Sequence, residues 1–278
     1  MSANSADYNY TVITTCKGRL HHLKITLPYL TSDPKAEVIV VDYDCPQKTH
    51  EWVKQTFGTR VKVVHFENRP KFNISIARNA GAKIATQDIL IFVDADVIPI
   101  RQAIDEMAKK VNRKTYVTIT TATKNTTPAN KQTTGTVAMH RSSYLQVNGY
   151  DDVFDSWGGE DSDIYNKLNE IGISNATVEG KNFSTINHDD SDRLKFHTEK
   201  KLSEIAKKTR ILVKILATAR QEKINLKKYQ KIEIYSRLKY NKNIFNNIQI
   251  KLNDGSVKIS CRRRYIMIGP MHVKVTEC

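Results

Sequence analysis

Through residues 1–120, short apolar and β-branched runs alternate with segments whose apolar residues recur at helical spacing. This alternation restricts the possible folds more than any other feature of the chain. EVIVVDY and ILIFVDADVI are runs of the first kind, and LHHLKITLPYL is a segment of the second. Strands that are apolar at almost every position are buried on both faces of a mostly parallel sheet. The sequence therefore predicts an α/β fold with a mostly parallel central sheet flanked by helices, which binds ligands at the carboxyl ends of its strands.

Charge divides the chain into two parts. The formal net charge is +15, yet residues 1–190 carry 22 basic and 22 acidic side chains, while residues 191–278 carry 22 and 7. The change follows an acidic, serine-containing patch at Asp189 to Asp192, and domain boundaries commonly fall in such polar segments. We therefore expect one domain at 1–190 and a basic C-terminal appendage at 191–278.

The appendage is predicted to contain a helix and a small β region. Between Leu202 and Ala219, apolar residues recur at alternating spacings of three and four among Lys and Arg residues, which is the pattern of a basic amphipathic helix. The later segment IQIKLNDGSVKIS places an Asp254-Gly255 turn between two strand-like runs. The apolar stripe of the helix either packs on the first domain or rests on an acidic membrane surface, and the sequence leaves both open.

Targeting signals and cysteine spacing exclude several classes of protein. No run approaches the roughly 18 apolar residues that span a bilayer, and the first residues lack the basic and apolar regions of a signal peptide. The expectation is a cytoplasmic protein whose contact with a membrane, if it has one, is peripheral. The four cysteines, Cys16, Cys45, Cys261 and Cys278, form neither a CxxC pair nor a zinc-finger spacing, so free thiols are expected.

Two carboxylates directly follow a predicted buried strand. Asp94 and Asp96 come after ILIFV, on a tight turn at the ligand-binding edge of the sheet. Carboxylate oxygens are the ligands that Mg²⁺ and Mn²⁺ prefer, and these cations in turn bind phosphate oxygens. An isolated D-x-D motif more often does no more than cap a turn. The rest of the chain must therefore decide between the two interpretations.

A second cluster, WGGED at residues 157–161, lies where a predicted helix begins. Trp157 offers a flat apolar face to a sugar ring, and Gly158 and Gly159 let the backbone approach a ligand closely. Glu160 and Asp161 can accept the protons of hydroxyl groups. The same carboxylates also complement the positive end of the helix dipole, and this structural role is compatible with the chemical one.

Strand-D-A-D, followed by G-Y-D-D and W-G-G-E-D, closely resembles the GT-A glycosyltransferases, both the family 2 members and the β1,4-galactosyltransferase and chondroitin-polymerase group. The resemblance extends from about Tyr10 to His188. It implies a GT-A catalytic domain that moves a sugar from a nucleotide diphosphate sugar to a hydroxyl of a glycan or glycoconjugate acceptor. The donor expected from the resemblance is a UDP-sugar. The implied mechanism is a single inverting displacement with Asp161 as the base. The implied acceptor-binding positions are Trp157, Gly158, Gly159 and Glu160.

The resemblance also implies where the donor and a metal ion bind. Asp94, Asp96 and His188 match a site for Mn²⁺ or Mg²⁺ at the donor diphosphate, with His188 similar to the histidine that completes this site in the galactosyltransferases. The positions implied to contact the nucleotide sugar are Thr15, Arg19, Asp42, Asp44, Arg78, Asn79, Asp94 and Ala95. The Lys17-Gly18-Arg19 segment is closer to family 2 than to the galactosyltransferases, which leaves the identity of the donor sugar open.

Two other classes of protein share part of this pattern. A sugar-phosphate nucleotidyltransferase also combines a parallel sheet with a metal-bound nucleotide, but it needs a Gly-rich phosphate loop after the first strand, and TTCKGR has one glycine. A nucleic-acid-binding protein would explain a basic tail with interleaved tyrosines. No recognisable nucleic-acid motif accompanies that charge, so no nucleic-acid partner is expected.

Overall fold

The computed structural model of the chain describes residues 9–100, 102–120, 133–154 and 158–188 without interruption, and further residues between 195 and 277 in shorter pieces. Backbone contacts divide the chain into a first unit, Met1–Thr209, and a second unit, Arg210–Cys278. The boundary expected near residue 190 falls in the segment 189–194, which lies outside the described residues. It therefore stays a prediction.

Strands and helices alternate through the first unit, as the sequence predicts. Its strands are β1 (Tyr10–Cys16), β2 (Ala36–Tyr43), β3 (Val61–Phe66), β4 (Ile89–Phe92), β5 (Val97–Pro99), β6 (Thr115–Ile119), β7 (Val137–His140), β8 (Ser174–Val178) and β9 (Phe183–Thr185). Its helices are α1 (Leu20–Thr31), α2 (Thr49–Phe57), α3 (Ile74–Ile84), α4 (Ala103–Lys110), α5 (Arg141–Gln146) and α6 (Glu160–Glu170).

Seven of these strands form the central sheet, in the order β3-β2-β1-β4-β7-β6-β8. β3, β2, β1 and β4 are parallel neighbours, and β6 and β8 are parallel neighbours, while β7 runs antiparallel between β4 and β6. β5 and β9 form a separate antiparallel ribbon. The described sheet thus confirms the predicted mostly parallel architecture, and the reversed direction of β7 is the feature that the apolar pattern of its residues could not specify.

Alternate residues of the central strands face two different apolar clusters. On β2, Val38 and Val40 belong to the cluster that also contains residues of α1 and α4, while Ile39 and Val41 belong to the cluster that contains residues of α3 and α6. All four side chains are essentially inaccessible to water. Removing each from water stabilises the fold by roughly 2 kcal/mol. Burial on both faces is the reason why the strand is apolar at almost every position.

α3 is held unusually close to the sheet, which positions its polar residues at the carboxyl edge. Asn73 caps its N-terminus, because its side-chain oxygen accepts the backbone N–H of Ile76 at 3.0 Å. Farther along, Gly81 lies against β1, where an added Cβ would stand 2.5 Å from a methyl group of Ile13. A side chain at this position would push the helix away from the sheet and would displace Arg78 with it.

The second unit contains the predicted β region. β10 (Tyr229–Ser236), β11 (Asn247–Leu252), β12 (Gly255–Ser260) and β13 (Met271–Glu277) form a four-stranded sheet in the order β10-β13-β11-β12. β11 and β12 pair as a hairpin in which Leu252 lies opposite Gly255, beside the predicted turn.

The predicted basic helix is described only in part, and its described residues between 206 and 220 are helical. Within it, Leu212 and Leu216 are buried. Among the described residues, no helix has the length and the apolar character needed to cross a membrane.

Candidate active site

Arg78, on α3, is the centre of a buried cluster of charges. Its Nη2 donates to Asp94 Oδ1 at 2.9 Å and to the carbonyl oxygen of Gly135 at 3.2 Å. Its Nη1 donates to Asp161 Oδ1 at 2.7 Å and lies 3.4 Å from Glu160 Oε1. One guanidinium group therefore brings the turn after β4 together with the first turn of α6, two segments that the sequence analysis singled out separately.

Three carboxylates share this single guanidinium, and the pKa values of two of them, Glu160 and Asp94, are raised. Burial, assisted by the charge of Asp161 and opposed by that of Arg78, raises the pKa of Glu160 to about 8. Burial also raises the pKa of Asp94 to about 6, where Arg78 opposes the shift and Asp96 adds to it. The second oxygen of Glu160 is buried and has no hydrogen-bond partner among the described residues. Burial and the charge of Asp161 thus favour the protonated form of Glu160.

Asp96 and His188 form a second cluster beside the first. The backbone N–H of Ile186 donates to the carbonyl oxygen of Asp96 at 2.8 Å, and this bond brings the end of β9 to the turn before β5. His188 Nε2 then lies 2.7 Å from Asp96 Oδ2. Arg19 Nη1 lies 3.2 Å from that oxygen and 3.1 Å from that nitrogen. Burial opposes ionisation of Asp96, but the His188 hydrogen bond and the Arg19 charge hold the pKa of this carboxyl below its ordinary value.

This second cluster fits a divalent cation. A carboxylate oxygen and an imidazole nitrogen converge on one positively charged group, and such mixed oxygen and nitrogen donors suit Mn²⁺. Of the three ligands expected from the sequence, the structure brings Asp96 and His188 together, whereas the Asp94 carboxylate is bonded to Arg78. The arrangement therefore offers two protein ligands and leaves Asp94 to the neighbouring cluster.

Asp42, at the end of β2, has a different environment from the one expected of a nucleotide ligand. Its Oδ1 accepts the backbone N–H of Cys45, and its Oδ2 accepts the backbone N–H of His50 and faces His50 Nδ1, each at 2.7 Å. The carboxylate is fully buried. Asp42 thus fixes the turn after β2 and the start of α2, and a contact between Asp42 and a nucleotide stays a prediction that requires these bonds to be exchanged.

Asp42 also belongs to a cluster with His50 and His65, in which the three possible metal-ligand atoms lie within 4.8 Å of one another. The rings of His50 and His65 are stacked, with centroids 3.6 Å apart. The carboxylate at the centre of this group already accepts the protein donors described above. We therefore regard the group as the packing of a turn.

Asp44 and Lys17 lie together at the carboxyl edge of the sheet, directly after β2 and β1. Asp44 adopts a φ of 53°, and its carboxylate accepts the backbone N–H of Arg69 at 2.8 Å. The buried ammonium group of Lys17 donates to the carbonyl oxygens of Tyr43, Asp44 and Arg69 at 3.2, 2.8 and 2.7 Å. Burial lowers the pKa of Lys17. The sequence analysis names Lys17 as part of the family 2-like segment but assigns it no role in the site, although a lysine directly after a buried strand was a signal that it ties neighbouring strand ends together.

Three other positions expected at the nucleotide bond to the protein or are buried within it. Asn79 accepts the backbone N–H of Tyr150 at 3.0 Å and donates to its carbonyl oxygen at 2.9 Å, so it holds the G-Y-D-D turn. The carbonyl oxygen of Ala95 accepts the hydroxyl of Thr26 at 3.0 Å. Thr15 is buried near the end of β1. Their predicted contacts with a nucleotide sugar stay predictions.

The glycines of the WGGED cluster set the start of α6. Gly158 and Gly159 have φ values of 82° and 95°, which strongly favour glycine. An added Cβ at Gly159 would also stand 2.9 Å from Phe154. At the helix start, the Asp161 side chain is 20% exposed whereas that of Glu160 is 5% exposed, so Asp161 is the carboxylate that a substrate can reach. Trp157 lies outside the described residues.

Comparisons with known proteins agree with this description. Residues 11–160 match the family described as glycosyl transferase family 2. Beta-1,4-galactosyltransferase 1 of Bos taurus is 24% identical over 172 residues, which cover 60% of this chain and 38% of that protein. Beta-1,4-galactosyltransferase 5 of Sus scrofa is 27% identical over 121 residues, which cover 39% and 29%. The chain thus spans less than half the length of these curated relatives.

Two solved structures have a similar backbone. S. aureus TarS 1-349 in complex with UDP-GlcNAc has a TM-score of 0.56 and 14% identity, with 75% of this chain and 66% of that chain covered. The mannosyltransferase PcManGT from Pyrobaculum calidifontis, in complex with GDP-Man and Mn²⁺, has a TM-score of 0.53 and 17% identity, with 80% and 66% covered. At such identities the likeness concerns the fold alone, and it confirms the expected GT-A fold.

Proposed function

This chain belongs to glycosyl transferase family 2, and we propose that it moves a sugar from a nucleotide diphosphate sugar to a hydroxyl of a glycan or glycoconjugate, with inversion at the anomeric carbon. The observation that carries the proposal is the bonding of Arg78 to both Asp94 and Asp161. It places the turn implied to bind the donor beside the carboxylate implied to activate the acceptor. UDP-GlcNAc in TarS and GDP-Man in PcManGT support a nucleotide-sugar donor, and the likeness to the galactosyltransferases favours a UDP-sugar.

Asp161 is suited to be the general base. Its Oδ1 accepts a bond from Arg78, which fixes the carboxylate, while a fifth of the side chain stays accessible. A carboxylate held in this way can remove the proton of an acceptor hydroxyl as that oxygen attacks the anomeric carbon. Glu160, whose pKa burial raises to about 8, lies beside Asp161 at the start of α6 and stays one of the proposed acceptor-site residues. Trp157, Gly158 and Gly159 complete the proposed acceptor site.

Asp96 and His188 are the residues that we propose to hold a divalent cation, Mn²⁺ or Mg²⁺. When bound, such a cation stabilises the negative charge that develops on a departing diphosphate. Arg19, which now contacts both proposed ligands, would be free to donate to a phosphate oxygen of the donor. Asp94, with its pKa raised toward neutrality, links this site to Arg78.

A donor panel with an inversion test decides the proposal. The full chain is incubated with UDP-, GDP- and dTDP-sugars, with and without Mn²⁺, and thermal stability and sugar release are followed. We expect one nucleotide class to raise the unfolding temperature and to be consumed only with the cation, since specific binding stabilises a fold by mass action. Proton NMR of the fresh product should show the opposite anomeric configuration to the donor. Retention of configuration, or no response to any nucleotide sugar, contradicts the proposal.

The basic appendage is proposed to bring the enzyme to an acidic surface, either a membrane or a polyanionic acceptor. The proposal rests on the excess of 22 basic over 7 acidic side chains in residues 191–278. Burial of Leu212 and Leu216 favours packing of the apolar stripe, so the contact would be electrostatic. Co-sedimentation with anionic vesicles that weakens as salt rises would support it. A protein that binds neither anionic nor neutral vesicles would refute it.

A further inference from the structure

Two cysteines meet where β1 and β2 end. Cys16 is the last residue of β1, and its register partner on β2 is Asp42. The Asp42 side chain accepts the backbone N–H of Cys45, so the chain folds back after β2 and returns Cys45 to the end of β1. Both cysteines are free thiols and both are buried, with Cys45 slightly more exposed at 6% against 1%. The two side chains lie side by side, since the backbone N–H of Gly18, two residues after Cys16, donates to the Cys45 sulfur at 3.1 Å, and each cysteine shifts the pKa of the other.

Several donors point at the sulfur of Cys45. The backbone N–H of Gly18 lies 3.1 Å from it, and Gln47 N–H and the Cys16 thiol also donate to it, while the Thr49 hydroxyl donates to the neighbouring Cys16 sulfur at 3.3 Å. As a thiol, Cys45 could itself donate to Gln47 Oε1. That oxygen is 3.9 Å away and already accepts the backbone N–H of Leu20 at 2.9 Å. The surroundings of this sulfur are therefore those of an acceptor, which is what a thiolate is.

Electrostatics agrees with this geometry. The interaction with Cys16 and the backbone bonds from Gln47 and Gly18 outweigh the effect of burial and lower the pKa of Cys45 to about 5. The Cys45 bond and burial raise the pKa of Cys16 well above its usual value. The pair thus consists of a thiolate beside a protonated thiol, the combination in which one cysteine is oxidised first and the other resolves the product.

We propose that Cys16 and Cys45 are a peroxide-sensitive pair, in which Cys45 is the oxidised cysteine and Cys16 the resolving one. The Cys45 thiolate attacks a hydroperoxide, so an S–O bond forms, the O–O bond breaks, and the leaving alkoxide or hydroxide takes a proton from water. Cys16 then loses its proton as its sulfur attacks the sulfenic sulfur of Cys45, and hydroxide leaves. In sum, two thiols and one hydroperoxide give one disulfide, one alcohol or water, and one water.

The disulfide would act on the sugar-transfer site through the segment that follows β1. Gly18 N–H is anchored on the Cys45 sulfur, and the next residue, Arg19, reaches Asp96 and His188. A disulfide sulfur carries no charge and is a poor acceptor, so oxidation weakens the anchor of this segment. The formation of the disulfide is independent of the proposed sugar transfer, and only this last consequence depends on it.

The test uses the full chain with Cys261 and Cys278 replaced by serine, so that Cys16 and Cys45 are its only thiols. It is treated with a small molar excess of hydrogen peroxide and digested under non-reducing conditions for mass spectrometry. We expect a peptide with Cys16 joined to Cys45, which dithiothreitol separates again. A protein that keeps both thiols, or that forms Cys45 sulfinic acid without the crosslink, overturns the proposal.

The roles of the two cysteines are separated by single variants in the same background. Cys16→Ser should accumulate a sulfenic acid that a 1,3-diketone probe traps, whereas Cys45→Ser should lose the reaction. Between pH 6 and 8 the rate should change less than about 2-fold, while an ordinary thiol accelerates roughly 50- to 100-fold over this range. Trapping at Cys16 in the Cys45→Ser variant, or a steep rise of the rate with pH, contradicts the assignment. The crosslink in the protein that keeps both cysteines tests the pair even if a variant unfolds.

Discussion

Carboxylates at two places along the carboxyl edge of the central sheet are held in different ways. Asp42 is fully buried and bonds to donors from its own turn and from the helix that follows. Asp94 and Asp161 are 24% and 20% exposed, and the cation that holds both, Arg78, comes from another element. A carboxylate that accepts backbone N–H groups nearby stabilises its own turn, whereas one held by a side chain from another element keeps lone pairs for a ligand. Substitutions at the two places should therefore separate activity from stability.

The largest effect is expected at Asp161. Asp161→Asn removes the proposed base while keeping the size of the side chain, so turnover should fall by a factor on the order of 10² to 10⁴ with donor affinity nearly unchanged. Steady-state kinetics together with donor titration measure both quantities. Asp152→Asn, at an exposed carboxylate on the preceding turn, is the matched control and should keep full activity. A variant of Asp161 that loses donor binding but keeps its turnover would make this residue a nucleotide ligand.

Removal of the proposed metal ligands comes next. EDTA should abolish sugar transfer, and Mn²⁺ should restore it. Asp96→Ala should lower metal-stimulated activity by roughly 10²- to 10³-fold, since stabilisation of the leaving group is lost. Manganese titration followed by electron paramagnetic resonance gives an independent measure of binding. Full activity in metal-free buffer, or unchanged manganese affinity in Asp96→Ala, would show that the Asp96 and His188 cluster is a structural ion pair.

Asp42 provides the opposite behaviour. Asp42→Ala leaves the backbone N–H groups of Cys45 and His50 without their acceptor, so the free energy of unfolding should fall by about 3 kcal/mol. Urea unfolding measures the change, and Asp88→Ala, at an exposed carboxylate before β4, should stay within about 0.5 kcal/mol of the parent chain. If Asp42→Ala instead keeps the parent chain's free energy of unfolding and loses donor affinity, Asp42 contacts the nucleotide as the sequence predicts, and the comparison fails.

The sequence could predict those features that depend on local pattern. Largely apolar and β-branched runs predicted β1, β2 and β4, because burial on both faces leaves few polar positions along a strand. The resemblance to known enzymes placed Asp96 near His188, and the structure pairs them. Contacts between distant segments were beyond this reasoning. Arg78 was expected at the nucleotide, but its bonds to Glu160 and Asp161 depend on how α3 and α6 approach each other.

The same limit applies to the two cysteines, whose spacing along the chain carries no motif. Cys16 and Cys45 become neighbours because β1 and β2 are parallel and because the side chain of Asp42 folds the next turn back. Neither the register of two strands nor the geometry of a turn is readable from cysteine spacing. To predict this cysteine pair from sequence, one would need both the register of β1 with β2 and the role of Asp42 in the turn.

The smallest effect expected is a change in the pH dependence of stability at Glu160. Because the pKa of this carboxyl is raised to about 8 in the folded protein, the folded state binds a proton more tightly than the unfolded state does. Stability should therefore fall as pH rises from the ordinary glutamate pKa through about 8, as the buried group is forced to ionise.

Glu160→Gln removes this penalty. The variant should resemble the parent chain near pH 5 and exceed its free energy of unfolding by at least about 1 kcal/mol near pH 9. Urea unfolding at pH 5, 7 and 9 measures the difference, with the exposed Glu67→Gln as control. A difference that is the same at every pH would mean that Glu160 is ionised throughout, with Arg78 neutralising it, and that the acceptor side of the site holds a second charged carboxylate.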